Sequence, residues 1–184
     1  MKRLALFLVL AVFAVALPMV VLAHTQEDPL RVDLIAGQNM DAGDVLVWNG
    51  VENGRAFLQV TYAGKDWCVG ETHLHVATSL ADIPQTRSGN PIPGQFTYKR
   101  EGACTPGASI RIPLDNVPVG TVLYIAAHAE VFPMVDGGGS CCGCDPCGDL
   151  CSRCDCTGEG ETAWGFGPGF SGANWATYFT YTVQ

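Results

Sequence analysis

The chain has 184 residues, with 18 acidic against 10 basic side chains and a formal charge of -8. Such a protein repels phosphate backbones, which argues against nucleic acid as a partner. It is 48% hydrophobic and has nine cysteines, so one domain with a sizeable core is expected, and the odd count leaves at least one cysteine unable to pair within the chain.

The chain opens as an export signal. Lys2 and Arg3 supply the positive start, and Leu4 to Val20 is apolar almost throughout, broken by Pro18. Val21, Leu22 and Ala23 fit a small-residue cleavage site. The run barely reaches the ~20 residues that a membrane span needs, so removal is expected, with membrane contact only during export. The expected division is residues 1–23 as signal peptide and residues 24–184 as one domain, destined for secretion, the cell surface or the periplasm. The acidic residues are scattered, and none sits in the spacing of a calcium-binding EF-hand loop.

After a polar lead from His24 to Pro29, short alternating segments follow one another. Arg31 to Ala36 places Val32, Leu34 and Ala36 on one face; Asp44 to Asn49 is a second strand. Gly50 to Gly54 reads as a hairpin loop, because Asn53-Gly54 favours positive φ. Ala56 to Ala63 alternates most clearly, with Leu58, Val60 and Tyr62 on one side. Gly64 to Asp66 turns the chain into a longer strand, Trp67 to Ser79, bent at Gly70, with Leu74 and Val76 opposite His73 and His75. Leu80 to Gln95 is a loop rich in proline and glycine. Phe96–Arg100 and Ser109–Leu114 are short strands. Thr121–Phe132 is a longer one, with Leu123, Ile125, Ala127, Ala129 and Val131 facing a core and Tyr124, Ala126, His128 and Glu130 facing away. Trp164 to Gly172 is glycine-rich, and Trp175–Val183 closes the series. With no sustained helical period and no internal repeat, about eight strands predict an all-β domain, a single β-sandwich or barrel.

The chemically distinctive stretch is a cysteine-rich insertion, residues 137–160, before the last strands. Cys141, Cys142, Cys144, Cys147, Cys151, Cys154 and Cys156 lie within it, and from Cys142 the steps are two, three, four, three and two. The run from Ser140 to Cys156 has one aliphatic residue, Leu150, so disulfides or a metal must order it. Two CxxC pairs can supply four thiolates to zinc, though the gap between them is short for a zinc ribbon. Copper and an iron–sulfur cluster are the other soft-metal options, without matching ferredoxin spacing. Redox exchange is a third reading of the same thiols. Cys68 and Cys104 stand apart, and pairing them would tie the histidine strand to the loop after Arg100.

His73 and His75 lie about 6.6 Å apart along their strand and can share a metal. His24 would be the mature N-terminus, offering an amine and a ring nitrogen together. With His73, His75 or His128 it would resemble the copper-binding histidine brace of lytic polysaccharide monooxygenases and small periplasmic copper carriers. Trp164, Phe166, Phe170, Trp175, Tyr178, Phe179 and Tyr181 crowd the end of the chain, where aromatics serve either as core or as a sugar-stacking platform. No nucleophile elbow, Walker loop or dinucleotide motif occurs, and no catalytic residue is assigned.

Four segments carry a resemblance: LIAGQNMDAGDVLVWN, FLQVTYAGKDWCVGETHLHVATSLADIPQTRSGNPIPGQFTYK, RIPLDNVPVGTVLYIAAHAEV and ETAWGFGPGFSGANWATYFTYTV. Together they resemble an uncharacterised family of secreted β-sandwich domains in microbial surface proteins. The resemblance implies that Cys68 and Cys104 belong to the scaffold and that ETHLHVATSL and GNPIPGQF are structural. It implies no activity. Residues 137–160 depart from it, because in the family a plainer connection joins the AAHA strand to ETAWG. The expected function is a non-enzymatic structural, adhesive or matrix component that self-associates or binds at the surface. The alternatives are a copper-binding protein or oxidative enzyme, and a carbohydrate-binding module.

Overall fold

The computed structural model describes residues 23–134 and 159–184. The described residues form nine strands: β1 (Leu30–Ala36), β2 (Met40–Glu52), β3 (Arg55–Gly64), β4 (Trp67–Ala77), β5 (Tyr98–Arg100), β6 (Gly107–Pro113), β7 (Val122–Pro133), β8 (Glu161–Gly165) and β9 (Phe179–Thr182). All pair antiparallel in one sheet, in the order β5-β4-β7-β8-β1-β2-β3-β6, with β9 also on β7. The all-β expectation holds. The two walls of the sandwich belong to one continuous sheet that curls nearly into a barrel; Val69 of β4 bridges Thr105, just before β6.

Local sequence explains the register. Asn53 and Gly54 both have positive φ, 51° and 77°, the two left-handed residues of a tight hairpin turn, and Glu52 pairs with Arg55 across it. The bend expected at Gly70 is a register shift between Val69 and Thr72 against β7. Strand β8 departs from the expectation, which puts Trp164 and Gly165 in a glycine-rich stretch. It has five residues, with Ala163, Trp164 and Gly165 all buried, so it lacks the polar alternation that marks a half-exposed strand. The last strand is also shorter than expected, because the chain from Gly169 to Thr177 turns back on itself through an isolated bridge.

The main core lies inside the curl. Leu34, Val45, Leu58, Tyr62, Leu74 and Ile125 are fully buried there, with contributions from Phe179 and Tyr181 of β9. The Tyr62 hydroxyl donates to the His73 carbonyl across the interior at 3.3 Å. The chain end is clamped to this wall. Asn49 donates from Nδ2 to the Gln184 carbonyl at 2.7 Å, and its Oδ1 accepts from Tyr181 Oη at 2.6 Å and Gln184 N at 3.0 Å. Asn49→Ala strands these partly buried groups and is expected to cost about 2–3 kcal/mol, read as a lower urea midpoint with an unchanged slope.

A second, smaller core sits on the outer face of β4, β7 and β8. It gathers Ile83, Phe96, Ala126, Trp164, Phe170 and Ala176. Two loops cover it, residues 78–97 and 166–178. They hold each other where Gly172 N–H donates to the Gly89 carbonyl and Asn174 N–H donates to Asn90 Oδ1.

Candidate functional site

Alternation along β4 sends Glu71, His73 and His75 to the outer face, and alternation along β7 sends His128 there too. Register brings them together: His73 is paired with His128, and His128 with Trp164 of β8. A row His73–His128–Trp164 therefore crosses three strands under the edge of the outer core. His73 Nδ1 lies 3.2 Å from His128 Nδ1, and His73 Nε2 lies 2.8 Å from Glu71 Oε1. The carboxylate only accepts, so His73 carries its proton on Nε2 and turns the Nδ1 lone pair toward His128. His128 packs its ring at 4.9 Å from Trp164.

Burial, with a smaller electrostatic contribution from His73, pushes His128 down from 6.5 to about 4. This ties stability to pH. An unfolded chain takes up a proton on this histidine near pH 6.5, whereas the folded one resists until about pH 4. Stability present above pH 6.5 is therefore lost as the pH falls through that window, by up to about 3 kcal/mol. His75 adds loss in the same direction, since burial also lowers it, against an opposing contribution from Asp82. Urea unfolding at pH 7 and pH 4.5 checks this: His128→Gln should flatten the dependence relative to the unchanged protein.

The other predicted histidines do not join the pair. His75 Nδ1 accepts from Thr97 Oγ1 at 3.2 Å, and its ring packs on Phe96. His24 stands elsewhere: its backbone N–H donates to Gln184 Oε1, and its ring is 6.1 Å from Tyr181. Tyr181 pairs with Leu123 of β7, five residues before His128, which is about 17 Å along the strand. The structure thus does not assemble His24 with His73, His75 or His128. Among the described residues, no three His, Cys, Asp or Glu side chains are grouped to hold a metal.

Cys68 and Cys104 form a disulfide, with Cα atoms 5.4 Å apart. It fastens the start of β4 to the segment leading into β6. Cys141, Cys142, Cys144, Cys147, Cys151, Cys154 and Cys156 lie outside the described residues. Of the late aromatics, Trp164, Phe170, Phe179 and Tyr181 are buried, Trp175 and Tyr178 are partly buried, and Phe166 is 61% exposed.

Sequence reasoning missed Glu71 and Trp164 as partners of the histidines. The signal for Glu71 was present, since it shares His73's face by simple alternation. Trp164 had none, because its strand was not recognised. Comparison with known proteins finds no matching family model, no matching curated protein and no matching solved structure.

Proposed function

We propose that this chain is an exported, non-enzymatic surface module in which a disulfide-stiffened β-scaffold presents the cysteine-rich segment, braced by disulfides or a soft metal, to a matrix component or another copy of itself. One observation supports this reading most. Strands β7 and β8 are direct neighbours, with Val131 opposite Glu161. Two to five residues suffice to join such strands, yet the sequence places the whole cysteine run between them. The sheet has no topological need of that run, so its content is free to serve a role other than folding. The Cys68–Cys104 bridge is in keeping with an oxidising compartment outside the cytosol.

The geometry lends less to the other two readings. His24 stands with Tyr181 and Gln184 rather than with a second histidine. Most late aromatics are packed inward instead of forming a flat stacking face.

Replacing residues 135–158 by a short Asn-Gly turn tests the proposal. The shortened domain is expected to unfold within about 1 kcal/mol of the parent, because loop length changes closure entropy only slowly, and to lose surface retention or self-association. A shortened protein that fails to fold, or that is retained as before, would sink the idea. Intact mass of the secreted protein before and after reduction, with native-spray detection of metal, then distinguishes bridges from thiolates.

A further inference from the structure

We propose that His73 and His128 form a two-coordinate site for a soft monovalent cation, Cu(I) or Ag(I), held between their Nδ1 atoms. This goes beyond the module reading, since it uses no residue of the cysteine-rich segment.

Two features converge on it. The Nδ1 atoms face each other at 3.2 Å from directly paired positions on β4 and β7, so the sheet itself fixes their approach. Glu71 stands behind His73 at 2.8 Å from Nε2. A carboxylate on the far nitrogen is the arrangement that orients a metal-binding imidazole and raises its basicity.

The number of donors selects the ion. With no third His, Cys, Asp or Glu grouped among the described residues, zinc and other divalent ions lack the four ligands they require. A d10 monovalent ion is satisfied by two nitrogens in line. Its single charge is balanced by Glu71, and a largely buried pair accepts one charge far more readily than two. Trp164 closes one side of the pair, with its ring centroid 4.9 Å from that of His128.

Binding balances without releasing a proton. In the empty pair, His128 donates its Nδ1 proton to His73 Nδ1. On loading, that proton moves to His128 Nε2, and both Nδ1 lone pairs turn to the metal. Two metal–nitrogen bonds of about 2 Å need about 4 Å between nitrogens, an opening of under about 1 Å that imidazole rotation supplies. The neighbouring cationic groups are otherwise engaged: Lys99, opposite His73 on β5, donates to the Gly94 carbonyl, and Arg100 reaches Gly70 and Thr105.

The test uses 15N-labelled mature protein, oxidised as secreted, titrated with Ag(I) in chloride-free buffer beyond the nine cysteines. Long-range 1H–15N correlations report each imidazole nitrogen separately. The Nδ1 resonances of both His73 and His128 should move together, while the His73 Nε2–H persists and His24 and His75 stay in place. His75→Phe should retain the response, and His128→Phe should abolish it at His73. Unmoved Nδ1 signals of His73 and His128 with silver in excess would overturn the site, leaving a hydrogen-bonded pair; so would a response confined to one of them. Should His128→Phe fail to fold, the spectra of the unsubstituted protein decide alone.

Discussion

Cys68→Ser is expected to lower the stability of the folded domain by about 4 kcal/mol. The bridge to Cys104 closes a loop with a sequence separation of 36, and a cross-link of that span removes about this much freedom from the unfolded chain in the loop-entropy model. Packing adds to the loss, because Cys68 is fully buried and a serine hydroxyl there must find a partner. Unfolding in urea with and without reductant measures it. The serine variant should be insensitive to reductant, and the parent should fall toward the variant once reduced. An unchanged midpoint in both comparisons would show that neighbouring strand pairing alone holds β4 to the β6 approach.

Gly43→Ala should do more damage still. Gly43 lies inside β2 at φ 130°, and a Cβ there would stand 2.0 Å from the Ala63 carbonyl oxygen on β3. That oxygen belongs to a ladder on which β2 and β3 pair along ten residue pairs, from Gly43–Gly64 to Glu52–Arg55, so it cannot step aside without unzipping the sheet. A loss on the order of 4 kcal/mol or more is expected, seen as failure to yield soluble, dispersed protein. Gly54→Ala is the matched control. Its φ is also positive, 77°, but nothing lies within 4 Å of the added carbon. It should cost only about 1–2 kcal/mol for the left-handed backbone. The difference between the two variants isolates the steric clash from conformational strain.

The periodicity of β3, β4 and β7 is legible because each strand turns one apolar face to the main core. Leu58, Val60 and Tyr62 point inward as their alternation implies, as do Leu123, Ile125 and Ala127. Even the bend at Gly70 could be read, since a glycine inside a strand pattern marks a bulge. The pairing of His73 with His128 could not. It depends on register between strands far apart in sequence, which no local pattern encodes. Nor could the fate of the outer face. Alternation says that His73 and His128 leave the main core, but not that Trp164 packs against the His128 ring or that residues 78–97 and 166–178 build a second core beside it. The sequence makes Phe96 the start of a short strand and leaves Trp164 and Phe170 as either core or a sugar-stacking platform, while the structure joins all three in a second core on the outer face.

That outer core divides the domain's cohesion into two unequal shares. The inner share is stitched by the curled sheet and the disulfide. The outer share rests on aromatic contacts, the Asn90–Asn174 and Gly89–Gly172 links, and a few ties to the sheet: Thr177 hydroxyl to the Gly165 carbonyl, Thr97 hydroxyl to His75 and Phe166 N–H to the Asp33 carbonyl. A layer secured so lightly forms its own cooperative unit and opens at a fraction of the global unfolding free energy. Amides of the covering loops should then exchange with solvent hydrogen long before those of β3 and β7. Each such opening frees Trp164 from its aromatic neighbours, so the side of the His128 ring that packs on it is bared at a rate set by this outer layer rather than by the barrel below.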